Sequence, residues 1–263
     1  MSRVVTDPAW RHRAIVAAFL VLSTGGQANA DCAFEPQGEG RVAAVVDGRS
    51  FRLDDGREVR LAGIERAGTD KASGRIALAA LVSGRHVTLH GEDDAPDRYG
   101  RQPAFVFADN SETSVQGEML RRGEALVSTE VADKDCAAAL AAAEAAARQA
   151  KLGIWTHPSA IKNAESPGDI LAGMGQFTVV EGRVLSVGQA GAVTYLNFGR
   201  NWTRDFAATI SGRIIPAFET AGLGPKSLEN KRIRVRGFVW SRGDHGSNCF
   251  GWGRLRCWAG NSA

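Results

Sequence analysis

The residues most able to do chemistry in this chain are arginines set beside acidic residues and turn formers. One group is Val46-Asp47-Gly48-Arg49-Ser50, a second runs Val59-Arg60-Leu61-Ala62-Gly63-Ile64-Glu65-Arg66, and a third is Asp97-Arg98-Tyr99-Gly100-Arg101. A planar guanidinium binds two phosphate oxygens at once and stabilises charge that develops on them. The chemistry these groups suggest is therefore phosphate binding or phosphoryl chemistry. Each has a plainer reading when taken alone. An arginine on an alternating strand is by default a solvated side chain, and Asp97 to Arg101 also makes a competent turn into a strand.

The elements that must position these groups are short and mostly extended. Residues 42–46, 50–53 and 58–62 read as strands joined by Asp47-Gly48 and Asp54-Asp55-Gly56 turns. Residues 74–82 are apolar at helical spacing, 86–90 and 101–107 read as strands, and 114–122 and 133–150 read as helices closed by Gly123 and Gly153. The last helix is rich in alanine, and Cys136, Leu140, Ala143 and Ala147 fall on one stripe, which marks a packing helix. Pro158 and Pro167 punctuate 157–174, which reads as a linker. A second β-rich unit follows over 175–242, with strands at 176–187, 192–198, 206–210 and 233–240 and a helix at 214–221. That order fits a five-stranded barrel of the oligonucleotide/oligosaccharide-binding type, without a recognisable fifth strand. Residues 243–263 read as an irregular tail.

In order and at these separations, the three arginine groups followed by Gly153-Ile154-Trp155 resemble the thermonuclease (staphylococcal-nuclease-like) family over about residues 40 to 156. The resemblance implies a mostly β, α+β chain whose first domain, 31–156, is a five-stranded barrel with three helices. The family cleaves nucleic-acid phosphodiesters with calcium. Carried over by position, Arg60 and Arg101 match its two phosphate-gripping arginines. Asp47 and Glu65 match two calcium ligands, but Arg49 stands where the family has a further acidic residue. Gly68 stands where the family has a water-activating glutamate, and Asp70 is the nearest carboxylate that could replace it. Arg49 and Arg66 would add to phosphate binding. Loss of general-base assistance costs about 10² to 10⁴ in rate, so the expectation is a nucleic-acid or polyanion binder with weak or lost hydrolysis. An active phosphodiesterase, for which alone calcium is implied, and an envelope protein-interaction module are the alternatives.

Composition restricts the rest. With 32 Lys plus Arg against 29 Asp plus Glu, the net charge is only +3, so polyanion binding must come from a local patch. Residues 1–30 combine Arg11-His12-Arg13, an apolar run and Ala28-Asn29-Ala30, the pattern of a removable signal peptide. A periplasmic or secreted monomer with no membrane insertion after cleavage is the expectation. In an oxidising compartment four cysteines suggest bridges. Cys32 with Cys136 would close a loop of roughly a hundred residues, worth ~4.7 kcal/mol at most. Cys249, Cys257 and His245 match no metal-ligand spacing. Asn197, Arg200, Asn201, Trp202 and Arg204 cluster between two strands, where single-stranded nucleic acid could stack, although an ordinary polar loop over 199–205 is the simpler and preferred reading.

Overall fold

A computed structural model describes residues 32, 34–68, 71–91, 95–128, 131, 133–201, 204–212, 215–220, 222, 224–241 and 249–252. The signal-peptide reading, Asp70, Trp202, His245 and Cys257 lie outside them. The first unit runs β1 (Glu35–Asp47), β2 (Ser50–Leu53), β3 (Glu58–Leu61), β4 (Ile64–Arg66), α1 (Lys71–Val82), β5 (His86–Gly91), β6 (Gln102–Ala108), α2 (Val115–Arg121), β7 (Ala125–Val127) and α3 (Lys134–Gln149). Five strands close a barrel in the order β1-β2-β3-β6-β5.

Closure depends on β1 serving two neighbours. Its first half pairs with β5 as far as Arg41↔His86, and its second half pairs with β2 from Val42↔Leu53. Strand alternation fills the interior: Phe51 and Leu53 are buried around exposed Arg52, and Val59, Leu61, Val87, Leu89 and Val106 join them. Each such side chain contributes about 2 kcal/mol on burial. The helices start where the sequence places their caps. Ser114 Oγ accepts from Gly117 N at 3.1 Å and Asp133 Oδ1 accepts from Cys136 N at 2.7 Å, satisfying orphan first-turn donors. A Cys32–Cys136 disulfide ties the chain before β1 to α3.

The second unit contains β8 (Ile161–Asn163), α4 (Pro167–Leu171), β9 (Phe177–Arg183), β10 (Ser186–Ala190), β11 (Val193–Asn197), β12 (Ala207–Ser211), α5 (Ile215–Thr220), β13 (Arg232–Ser241) and β14 (Cys249–Trp252). Its sheet order is β10-β11-β12-β14-β13-β9-β8. The expected 176–187 strand is β9 and β10, two halves bent at Val184. Val184 N donates to Lys231 O beside β13, and Leu185 N donates to Asn197 O on β11. The halves thus pair with different neighbours, β13 and β11, as the two halves of β1 do in the first barrel. The parallel contact of β12 with β14 likewise mirrors that of β3 with β6.

Two expectations change here. The fifth strand exists and lies within the stretch read as an irregular tail, at Cys249–Trp252. Residues 157–174 are not an open linker: β8 lies parallel to β9, and Ile170 of α4 is fully buried in the second core. The short β8 was hidden because only three residues pair and a proline lies on either side.

The two units pack together. Ala67, Leu126, Ala147 and Trp155 of the first share an apolar cluster with Phe177 and Val179 of the second. Beside it Arg236 reaches from β13 to Glu144 of α3, at 3.0 and 2.7 Å, and to the Val127 carbonyl at 3.1 Å. Among the described residues no helix is long and apolar enough to cross a membrane.

Candidate functional site

Two tight turns bring the first two arginine groups together. Asp47 ends β1, and its Oδ1 accepts the backbone N–H of Arg49 at 2.9 Å, closing the turn into β2. Antiparallel pairing then sets Ser50 opposite Arg60 on β3. At the end of β3 the chain reverses at Gly63, whose φ of +74° suits glycine and where a Cβ would lie 2.9 Å from Leu140. That reversal aims β4 back, held by β7 through Glu65↔Leu126.

The result is a glutamate held between two arginines. Glu65 is only 5% exposed. One carboxylate oxygen pairs with Arg49 Nη1 and the other lies 3.4 Å from Arg60 Nη2. Arg49 Nη1 also donates to the Ile64 carbonyl at 3.4 Å. Arg66 is further out, with Nη1 3.9 Å from Asp47 Oδ2. Ser50 keeps a buried Oγ with no hydrogen-bond partner among the described residues.

Arg101 is positioned by its own turn. Asp97 Oδ1 accepts the backbone N–H of Tyr99 at 2.9 Å and of Arg101 at 3.1 Å, while Oδ2 accepts Arg101 Nη2 at 2.7 Å and Nε at 3.0 Å. Burial works against the Asp97 charge, but the Arg101 side chain and these two N–H groups outweigh it and bring the pKa down to about 2. The Arg101 pKa is raised, mainly by that hydrogen bond, with smaller contributions from the fields of Glu58 and Asp47. The third group is thus electrostatically coupled to the first. Arg101 also lies over the Tyr99 ring, 5.1 Å from its centroid, and Arg98 lies at 4.7 Å.

A family model described as staphylococcal nuclease homologue matches residues 59–157. Residues 59–157 are similar to staphylococcal nuclease homologues. The matched segment of this nuclease-like domain starts at β3 and so includes Arg60, Glu65, Arg66 and Arg101 but not Asp47 or Arg49. A search of curated proteins found no match.

Calcium does not fit the donor set of the described residues. Both Glu65 oxygens face guanidiniums, Asp47 serves a backbone N–H and Arg66, and no group of three carboxylate, histidine or cysteine side chains converges among the described residues. A hard divalent cation wants six or more oxygens, and here Arg49 occupies the middle of the set. Gly68 sits on a left-handed backbone with φ +67° and open space at its Cβ. It borders a cleft of about 550 Å³ between the two units, walled also by Ala67, Leu126 and Phe177.

Asp97 fills the turn role that its sequence position allowed and also anchors the Arg101 side chain, a second role that the four-residue spacing could have signalled. In the second unit, Asn201 N donates to Asp205 Oδ2 at 2.8 Å within the loop after β11, and Asn197 of β11 donates to Ser186 Oγ of β10 at 3.1 Å.

Proposed function

We propose that the nuclease-like domain of this exported protein grips nucleic-acid phosphates through Arg60 and Arg101, supported by Arg49 and Arg66, with hydrolysis weak or lost. The observation that carries this reading is the pairing of Glu65 with both Arg49 and Arg60. A guanidinium stands in for a metal, so among the described residues Glu65 is neutralised by Arg49 and Arg60 without calcium. Geometry of this kind still favours a polyanion, because Arg60 and Arg101 side chains remain 20% and 19% exposed and anchored. It does not favour turnover. Gly68 offers no base, and both Glu65 oxygens are taken up by guanidiniums.

The test is single-stranded DNA and RNA presented to the purified protein with and without calcium, beside an Arg60→Ala/Arg101→Ala variant. Salt-sensitive binding without cleavage, lost in the variant, is the expected result. Calcium-stimulated cleavage that the variant abolishes would overturn it and assign Asp47, Glu65 and Asp70 to an active phosphodiesterase. No binding of either nucleic acid would instead favour a protein-interaction module.

A further inference from the structure

The outer face of β13 carries arginine at alternate positions, Arg232, Arg234 and Arg236, while Ile233 and Val235 between them are 2% and 3% exposed in the core. The row passes from buried to open: the side chains of Arg236, Arg234 and Arg232 are 12%, 26% and 69% exposed. Its inner end clamps the two units through Glu144. Its outer end has a different environment. Glu181 on β9 accepts from Arg232 at 2.8 Å and from Arg234 Nε at 3.1 Å, which uses both of its oxygens. Directly opposite Arg232 on β9 stands Arg183, exposed and with no carboxylate partner among the described residues. Arg148 of α3 lies in the same field: burial lowers its pKa, as do the charges of Arg234 and Arg236. Among the described residues Arg183, Arg232 and Arg234 thus stand beside the single Glu181 carboxylate, so the outer end of the row carries excess positive charge.

Like charges directly opposite one another weaken a strand pair, and nothing in the fold uses the Arg183–Arg232 juxtaposition. An anion lying across it would convert that repulsion into binding. We propose that Arg183 and Arg232, backed by Arg234 and Arg148, form a second phosphate-binding surface for single-stranded nucleic acid, separate from the Arg60–Arg101 site. The choice of nucleic acid rests on the function proposed above. A strand long enough to touch both surfaces would be held by both units.

The probe is a fluorescein-labelled oligothymidylate of ~20 nucleotides, longer than the ~4–16 that one barrel of this type covers. Anisotropy titrations at several salt concentrations compare the unaltered protein with Arg183→Ala/Arg232→Ala, Arg183→Lys/Arg232→Lys and Arg60→Ala/Arg101→Ala. Since each phosphate contact on a single strand contributes ~0.7 to the salt slope, the first variant should lose ~1.4 of that slope and about tenfold in low-salt affinity. The lysine variant should keep most of both, and thermal midpoints should agree because both side chains are exposed. Unchanged affinity and slope in Arg183→Ala/Arg232→Ala, with loss in Arg60→Ala/Arg101→Ala, would overturn this surface alone. Loss in the first pair and none in the second would leave it standing and refute the barrel site. An unaltered protein that does not bind the oligonucleotide would refute both.

Discussion

Glu65→Gln should tighten phosphate binding rather than weaken it. In the folded protein the Glu65 carboxylate lies within ion-pair distance of Arg49 and 3.4 Å from Arg60, so it competes with any phosphate for the same guanidiniums. The amide keeps the shape and one acceptor but removes the charge. A phosphate seated on the open side of Arg60 would lie ~7 Å from that carboxylate, where an effective dielectric of ~20 gives a repulsion of about 2 kcal/mol. The Arg49 and Arg60 side chains are 16% and 20% exposed. Solvent and salt therefore reduce the repulsion to about 1 kcal/mol, or roughly fivefold in Kd. Losing the ion pairs should lower stability by about 1–2 kcal/mol, a loss a thermal melt can register without unfolding the protein. Anisotropy with a labelled oligonucleotide at low salt reads the affinity, and Arg49→Ala in parallel should weaken binding. Unchanged or weaker binding by Glu65→Gln would show that Glu65 does not compete for the arginines, and the phosphate-grip argument would fail.

The Asp97 carboxyl is held at about 2 against 3.8 without its partners. Its depressed pKa contributes stability that is complete above pH ~4 and is lost as pH falls through 2. With a side chain 14% exposed the contribution is about 1–2 kcal/mol. Urea unfolding of Asp97→Asn should therefore show a deficit at pH 5 that vanishes near pH 2, and a constant deficit would refute the assignment. Arg236→Ala leaves Glu144, 2% exposed, without its bidentate partner. Because Val127 N still donates to Glu144 at 2.9 Å, the cost should be about 2–3 kcal/mol rather than the ~3–5 typical of an abandoned buried charge. Limited proteolysis between the units should accelerate in step, and an unchanged melt would refute the clamp. Reduction of the Cys32–Cys136 bridge, whose ends are 104 positions apart in sequence, should lower the denaturation midpoint by an amount equivalent to at most ~4.7 kcal/mol.

The first barrel was legible because its signals are local. Asp47-Gly48 and Asp54-Asp55-Gly56 are turns wherever they occur, and the Phe51-Arg52-Leu53 alternation can bury only one face. Ser114 and Asp133 declared their helices by their own capping chemistry. In the second unit the fifth strand could not be read, because a four-residue strand such as β14 takes its conformation from the backbones of β12 and β13 rather than from alternation. β8 was lost for the same reason. The bend at Val184 was invisible because both halves of the bent strand have similar composition, and only the change of neighbour separates β9 from β10.

The candidate site was legible as a set of residues but not as a circuit. Sequence could place Arg49 where a carboxylate was expected. It could not show that Arg49 would turn on Glu65, since that contact depends on the Gly63 reversal, which carries β4 beneath the β1–β2 turn. The same reversal gives the buried Glu65 its charge partner. A buried glutamate without a cation would be strongly disfavoured, and Arg49 and Arg60 supply that cation here. Arg49 satisfies Glu65 permanently, whereas a metal would do so only when bound. A site built this way keeps its arginines oriented at every calcium concentration, which suits constant holding of a phosphate chain better than metal-gated cleavage.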